Sequence, residues 1–200
     1  MKLRGLYAIT PELAAGEDLM RRVAQALEGG IAMLQYRSKG VQRLDEAKNL
    51  ARMCRARSVP FIVNDDLVLA LECGADGVHL GKDDGELAAV RARLAGKLLG
   101  ASCYDSLAAA RAAVAAGADY VAFGSVFSSP TKPSAVRAPL SLFGEARALG
   151  VPLVAIGGIT LENAPQLLRA GADGLAVISD LFDAPDVAER ARGYGKLFPA

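Results

Sequence analysis

One three-residue phrase, Gly-Ala-Asp, recurs along the chain and each time joins a helix-like segment to a short apolar run. It occurs at 74–76, 117–119 and 171–173, each time after an Ala- or Leu-rich segment with helical spacing. Glycine commonly ends a helix, and short apolar runs without polar alternation are typical of strands buried on both faces. The recurrence therefore predicts a repeated helix–turn–strand unit.

The segments between these joints continue the same alternation. The predicted strands are 4–9, 31–36, 60–63, 77–80, 98–101, 119–123, 152–156 and 174–178. The predicted helices are 17–28, 43–57, 66–73, 84–95, 105–116, 139–149, 160–170 and 185–197. Eight strand–helix pairs in 200 residues predict an α/β fold, a single (β/α)8 TIM barrel that spans 1–200 as one domain. A doubly wound open sheet is the alternative, but it usually has fewer units and keeps an edge strand.

Composition excludes several classes of function. The formal net charge is +1, which offers no overall attraction for nucleic acid or an anionic membrane. No stretch approaches the roughly 20 apolar residues of a membrane span, and the first residues do not resemble a signal peptide. The three cysteines form no CxxC motif, which favours a reduced, cytoplasmic compartment. We expect small-molecule partners, no nucleic acid and no membrane, and we leave a homo-oligomer open.

In a barrel of this kind, chemistry lies at the carboxyl ends of the strands and in the loops that follow. Gly157-Gly158 follows the seventh predicted strand, just before a helix that starts near Thr160, and Ile178-Ser179 follows the eighth. Glycines allow the backbone to approach an anion closely, and amides at a helix start point at its oxygens. These residues predict a phosphate site; a glycine pair that only turns the chain is the alternative.

A second group of polar residues ends the second predicted strand. Gln35, Arg37 and Lys39 alternate, so an extended segment places them on one face. The long loop 124–139 contributes Lys132, which we interpret as part of a lid that brings a further charge to the site. Ser129 and Thr131 of this loop add hydroxyl donors. Together these groups predict a site for a multiply charged anion.

Two carboxylates follow the neighbouring strands. Asp65 comes after the third predicted strand and Asp84 after the fourth. They either form plain ion pairs with the basic residues or hold Mg²⁺, which takes oxygen ligands from one or two carboxylates and from phosphates. The second reading predicts a pyrophosphate site, because cations and hydroxyls stabilise a departing diphosphate.

For several other titratable residues, the sequence by itself favours a structural role over a catalytic one. Cys103 has no histidine close after it, so we do not expect a thiol nucleophile. Asp76, Asp119 and Asp173 recur in the Gly-Ala-Asp joints, which favours turn or capping hydrogen bonds at the end of the barrel opposite the chemistry. His79, the single histidine, would by itself more often be a satisfied structural residue.

An ordered set of motifs resembles one known family. It comprises YAIT at 7–10, QYRSK at 35–39, VNDD at 63–66, GADGVHLGKDD at 74–84, GAS at 100–102, SPTKP at 129–133, VAIGGI at 154–159 and GADGLAVIS at 171–179. Together they are similar to the thiamine phosphate synthase family over nearly the whole chain. The resemblance implies a transferase that joins hydroxymethylpyrimidine diphosphate to thiazole phosphate, giving thiamine phosphate and pyrophosphate through a dissociative step with a pyrimidine carbocation.

The resemblance also implies roles for individual residues. The pyrimidine diphosphate would be bound by Gln35, Arg37, Lys39, Asn64, His79, Ser102 and Lys132. Of these, the groups that act on the departing pyrophosphate would be Arg37, Lys39, Ser102 and Lys132. The thiazole phosphate would be bound by Ser129, Thr131, Gly158, Ile178 and Ser179. Mg²⁺ would be held by Asp65 and Asp84.

The sequence departs from the family pattern at a few positions. Ser129 stands where threonine is common and keeps the hydroxyl, whereas Lys82 replaces a frequent glutamine and adds a charge near the metal site. Asp83 beside Asp84 leaves open which of the two is the ligand. A thiazole tautomerase of the same barrel family is the alternative function, and a non-catalytic sensor of thiamine phosphate is a third. Neither requires the basic and acidic residues that a diphosphate and its Mg²⁺ need.

Overall fold

The computed structural model describes residues 3–12, 16–38, 43–82, 84–128 and 137–198. Eight parallel strands close into one barrel in the order of the sequence. They are β1 (Gly5–Ile9), β2 (Met33–Tyr36), β3 (Phe61–Asn64), β4 (Gly77–Leu80), β5 (Leu98–Tyr104), β6 (Tyr120–Phe123), β7 (Leu153–Ile156) and β8 (Gly174–Val177). Because β8 pairs with β1, the sheet has no edge, which confirms the predicted barrel over an open sheet.

Helices alternate with these strands. They are α1 (Gly16–Glu28), α2 (Leu44–Arg55), α3 (Leu67–Glu72), α4 (Leu87–Arg93), α5 (Leu107–Ala115), α6 (Ser141–Ala146), α7 (Ala164–Ala170), α8 (Ser179–Phe182) and α9 (Val187–Gly195). A 3-10 turn, Arg147–Leu149, extends α6. The sequence pattern missed α8, a single short turn of helix that leads out of β8.

Most predicted boundaries differ from the structure by one to four residues, and two of these differences have a clear local reason. The strand predicted at 98–101 continues to Tyr104, with a shift in its pairing with β6 between Ser102 and Tyr104. The helix predicted at 160–170 begins only at 164. Thr160 and Asn163 form a turn there, in which the Thr160 amide donates to Asn163 Oδ1 at 2.9 Å.

Buried residues separate into two clusters because strand side chains alternate between the faces of the sheet. Leu6 and Ala8 of β1 belong to a large cluster that includes the apolar faces of the helices. Tyr7 and Ile9 belong to a smaller cluster made almost wholly of strand residues, which fills the barrel interior. Tyr7 and Tyr120 are the two tyrosines of this interior cluster.

The Gly-Ala-Asp joints lie at the amino ends of the strands, opposite the predicted chemistry. Each aspartate accepts a hydrogen bond from the backbone amide of the preceding strand: Asp76 from Phe61 at 2.8 Å, Asp119 from Leu99 at 2.7 Å, and Asp173 from Leu153 at 2.9 Å. The structural role predicted for these carboxylates is confirmed. Their bonds, however, connect neighbouring strands rather than closing the turn itself.

Within the described part of the chain, no helix is long and apolar enough to cross a membrane. All three cysteines, Cys54, Cys73 and Cys103, are buried and free. Burial raises the pKa of the Cys103 thiol to about 12, so it carries no thiolate at neutral pH. The expectation that Cys103 is not a nucleophile is thereby supported.

Candidate active site

The carboxyl ends of β3 and β4 bring two predicted metal ligands together. Asp65 and Asp84 are in side-chain hydrogen-bond contact. Asp84 Oδ2 also accepts from the Gly81 amide at 2.8 Å, and the Asn64 side-chain amide donates to Asp65 Oδ2. Asp65 has a φ of 62°, a left-handed conformation that is uncommon outside glycine and tends to occur at functional sites.

The contact between these carboxylates perturbs Asp65. Its pKa is raised to about 6, first by burial and then by the neighbouring Asp84, while Asn64 and Arg37 oppose the shift. Two carboxylates in contact resist simultaneous ionisation, and a divalent cation removes that conflict. The pair therefore fits Mg²⁺, which is commonly held by one or two carboxylates and completed by phosphate oxygens and water. Among the described residues, no group of three or more histidine, cysteine or acidic side chains forms a metal cluster.

Arg37 lies directly after β2 and contributes a positive charge to the same region. Its side chain is 18% exposed and forms an ion pair with Glu12, with Arg37 Nη1 3.1 Å from Glu12 Oε2. Its backbone amide donates to Thr10 Oγ1 at 2.9 Å, which ties the end of β2 to the end of β1. A guanidinium has five N–H donors, so the bond to Glu12 leaves others for an anion.

Five side chains from five strands form a continuous hydrogen-bonded chain through the barrel interior, which we call the relay. Gln35 Nε2 donates to the Tyr7 hydroxyl at 2.7 Å. The hydroxyls of Tyr7 and Tyr120 are 2.8 Å apart. The Tyr120 hydroxyl lies 3.1 Å from His79 Nδ1, and His79 Nε2 lies 2.9 Å from Ser102 Oγ. The relay thus joins the predicted pyrimidine ligand Gln35 to the predicted pyrophosphate ligand Ser102.

The interior of the barrel keeps the relay uncharged. Burial lowers the pKa of His79 to about 4, so its imidazole is neutral at pH 7. Burial also raises the pKa values of Tyr7 and Tyr120, which keeps both phenols protonated. A neutral imidazole with both nitrogens hydrogen-bonded is suited to orienting its neighbours. That His79 binds the substrate rather than acting as a base stays a prediction.

The predicted phosphate residues lie at the adjacent ends of β7 and β8. Gly157 and Gly158 have φ values of 104° and 62°, a backbone that disfavours side chains. Asn163 Nδ2 donates to the Gly158 carbonyl at 3.0 Å and holds this turn. Ile178 directly follows β8, and Ser179 begins α8. The turn and the end of β8 are therefore neighbours, as the sequence predicted.

Several predicted site residues lie outside the described part of the chain: Lys39, Asp83, Ser129, Thr131 and Lys132. Lys82 is described and exposed, with its backbone amide 3.5 Å from the Tyr104 hydroxyl. Sequence reasoning missed Tyr7 and Tyr120 as parts of the site. The available signal was a tyrosine in each of two otherwise apolar strands, because a buried phenol needs a hydrogen-bond partner.

The fold and these groups define a class: a (β/α)8-barrel enzyme whose polar residues collect at the carboxyl ends of its strands. The family model described as thiamine monophosphate synthase matches residues 6–181. The chain belongs to this family and is a transferase.

Individual relatives agree along the full length. A thiamine-phosphate synthase of Aromatoleum aromaticum is 56% identical over 204 residues, which cover 100% of this chain and 98% of that protein. A thiamine-phosphate synthase of Chromobacterium violaceum is 55% identical over 203 residues, with coverage of 100% and 98%. The solved thiamine phosphate pyrophosphorylase of Pyrococcus furiosus superimposes with a TM-score of 0.89 at 34% identity, covering 98% of this chain and 96% of that one.

Proposed function

We propose that this protein joins hydroxymethylpyrimidine diphosphate to thiazole phosphate in the presence of Mg²⁺ and releases thiamine phosphate and pyrophosphate. The bond between the pyrimidine methylene carbon and the diphosphate oxygen breaks, and a bond from the thiazole nitrogen to that carbon forms. The nitrogen lone pair becomes the new bond, so no proton has to be removed and the site needs no strong base.

The observation that carries this proposal is the contact between Asp65 and Asp84 beside Arg37. Paired carboxylates near an arginine are unfavourable for binding an anion alone, because the negative charges repel it. They become favourable when a divalent cation is bound with a diphosphate. The family membership and the diphosphate site therefore point to the same substrate class.

The departing diphosphate has the greatest need of stabilisation, because its negative charge grows as the carbon–oxygen bond breaks. Arg37 supplies N–H donors at the end of β2, and Ser102 supplies a hydroxyl at the end of β5. We assign Lys39 and Lys132 to the same anion on the family resemblance. Stabilisation of this kind favours a dissociative path, in which the leaving group departs before the nitrogen bonds.

Asp65 and Asp84 would hold Mg²⁺, which when bound neutralises charge on the diphosphate oxygens. Asn64 orients the Asp65 carboxylate, and the Gly81 amide orients Asp84. These bonds restrain both carboxylates before substrate arrives. Preorganisation of this kind reduces the reorganisation that binding requires.

The second substrate would place its phosphate at Gly158, Ile178 and Ser179, with Ser129 and Thr131 as further donors. Glycine at 158 lets the backbone come close to an anion. A phosphate held at β7 and β8 and a diphosphate held at β2 to β5 bind on different sides of one barrel mouth. The two reacting atoms can then meet between them.

The direct test combines purified protein with both substrates and Mg²⁺ and measures thiamine phosphate and pyrophosphate together. We expect equal amounts of the two products, and we expect EDTA to abolish both. Product formation that persists in EDTA would contradict the metal assignment. Failure to form thiamine phosphate, with thiazole phosphate still bound, would contradict the transferase and favour the tautomerase or the sensor.

A further inference from the structure

The hydrogens of the relay can be ordered by counting donors. Tyr7 is 1% exposed and Tyr120 is 0% exposed, so each hydroxyl hydrogen must lie on a bond to a relay neighbour rather than to water. The two oxygens are 2.8 Å apart and share one hydrogen between them. Whichever tyrosine donates that hydrogen, the other must donate its own hydrogen to its other relay neighbour, so both bonds point in the same direction along the relay.

Only two fully bonded arrangements result. In the first, Tyr7 donates to Tyr120, and Tyr120 donates to His79 Nδ1. The neutral His79 then carries its proton on Nε2 and donates to Ser102 Oγ, so the serine hydrogen is available to a ligand. Gln35 donates one Nε2 hydrogen to Tyr7, as the structure has it, so its amide is oriented with the carbonyl oxygen Oε1 on the side away from Tyr7.

The second arrangement reverses every bond. Ser102 donates its hydrogen to His79 Nε2, His79 Nδ1–H donates to Tyr120, and Tyr120 donates to Tyr7. Tyr7 must then donate to Gln35 Oε1, which turns the amide over and presents Nε2 to a ligand. The ends of the relay are therefore linked: when Ser102 has its hydrogen free for a ligand, the Gln35 amide turns Oε1 away from Tyr7, and when Ser102 donates to His79, the amide turns Nε2 away from Tyr7.

A glycine in β5 maintains the centre of the relay. A Cβ at Gly100 would collide with the ring and hydroxyl of Tyr120 and would lie 2.5 Å from His79 Nδ1. Gly100 is not among the glycines with positive φ, so its backbone conformation does not require glycine. Because Gly100 has no side chain, there is room for the hydrogen bond between Tyr120 and His79. The glycine is therefore evidence that this contact is a selected feature of the protein.

We propose that the relay couples the two ends of the pyrimidine diphosphate subsite, with Tyr7 and Tyr120 as positioning residues. A diphosphate oxygen accepts the Ser102 hydrogen, which fixes the direction of every bond and makes Gln35 present Oε1 to the pyrimidine. The pyrimidine ring of the proposed substrate carries an amino group at position 4, which donates to that oxygen, whereas an oxo group in its place would meet another acceptor. The relay thus selects amino- over oxopyrimidine diphosphates. This inference rests on the proposed function.

The first test uses the single histidine of the chain, which gives an unambiguous ¹⁵N imidazole spectrum. The wild-type protein is saturated with inorganic pyrophosphate and Mg²⁺. The tautomer of His79 is then determined from the chemical shifts of its two ring nitrogens. We expect a neutral ring protonated on Nε2 and unprotonated on Nδ1. A ring protonated on Nδ1 with pyrophosphate bound would overturn the proposal. Failure of pyrophosphate to bind would instead overturn the diphosphate site itself, and the coupling with it.

The second test breaks the relay at its centre and leaves both ends in place. We expect Tyr120→Phe and Tyr7→Phe each to lower the preference for the amino substrate over its 4-oxo analogue, measured as a ratio of kcat/KM, by about tenfold or more. The KM for thiazole phosphate should not change. The two variants act on the same bond, so either one that folds, as judged by its thermal unfolding, is sufficient.

Tyr36→Phe is the matched control. Tyr36 is also a buried strand tyrosine, but its hydroxyl donates to Glu46 Oε1 at 2.7 Å on the helix side of the barrel. We expect this variant to keep the wild-type preference. A wild-type preference in folded Tyr120→Phe or Tyr7→Phe, with normal formation of thiamine phosphate, would overturn the coupling and leave the proposed function intact.

Discussion

A side chain at Gly100 would collide with Tyr120, whose ring and hydroxyl occupy the space where a Cβ would stand. The same Cβ would lie only 2.5 Å from His79 Nδ1, which is too close for a nonbonded contact. Neither neighbour is a flexible chain end, because both rings are buried and hydrogen-bonded. Glycine at position 100 is therefore needed because the Tyr120 and His79 rings occupy the space that a side chain would fill.

We expect Gly100→Ala to destabilise the protein by about 1–3 kcal/mol, because one added methyl overpacks a buried site. Chemical denaturation measures this loss. Gly144→Ala is the control: Gly144 lies in α6, and a Cβ there meets nothing within 4 Å. That change should be neutral or slightly stabilising, since alanine favours helix. Equal effects at the two positions would contradict the packing argument.

Arg37→Ala should lower kcat by about 10²–10³-fold while changing the KM for thiazole phosphate little, because its donors act on the growing charge of the diphosphate. We expect the same pattern for Lys132→Ala. Steady-state kinetics with each substrate varied in turn separate the two parameters. Arg21→Ala, which removes an exposed α1 arginine paired with Asp18, should retain wild-type values. Normal turnover in both site variants would show that the pyrophosphate assignment is wrong.

Asp65→Asn should abolish the effect of Mg²⁺ on pyrophosphate binding without destabilising the protein. Calorimetric titration should show that pyrophosphate binding no longer gains from Mg²⁺. Without Mg²⁺ at pH 8, the melting temperature should rise or stay constant, because the folded-state pKa of Asp65, raised to about 6, disfavours its charged form. Asp66→Asn is the adjacent control: asparagine also caps helices, so the bond to the Leu69 amide can be kept. A lower melting temperature for Asp65→Asn would contradict the repulsion between the carboxylates.

His79 should make stability depend on pH. Burial lowers its folded-state pKa to about 4 from the usual 6.5, so on acidification the unfolded chain takes up the proton first. Its contribution to stability is complete above pH 6.5 and is lost as the pH falls toward 4, by up to about 3 kcal/mol. The free energy of unfolding measured from pH 7 to 4 should therefore fall more steeply for the wild type than for His79→Asn. Parallel slopes would mean that His79 is not held neutral.

Asp119→Ala should destabilise the barrel without changing its chemistry. Asp119 accepts from the buried Leu99 amide at 2.7 Å and from Arg91 at 3.0 Å, at the end of the barrel away from the site. Leaving a buried amide unpaired costs about 1–3 kcal/mol. Denaturation should show this loss, while kcat and KM of the folded fraction remain those of the wild type. A large fall in kcat would place Asp119 in the active machinery.

The repeated helix–turn–strand joint determined much of the fold in advance. The positive φ values of Gly74, Gly117 and Gly171 match the helix-ending glycines expected at each joint. The pattern could not locate α8, which is one turn long and gives too few residues for a helical period. It also placed the end of β5 too early, because the shift in pairing after Ser102 depends on the neighbouring strand.

The sequence by itself determined the alternation of strands and helices and the polar residues at the strand ends, because both follow from local spacing. Only the tertiary structure decided which of those residues touch. Tyr7 and Tyr120 are 113 positions apart, and their hydroxyls meet because closing the barrel points both side chains into one interior. The contact of Asp65 with Asp84 likewise requires β3 and β4 to be paired in register. Local sequence patterns cannot predict such contacts, because the contacts form only when the closed sheet brings distant strands together.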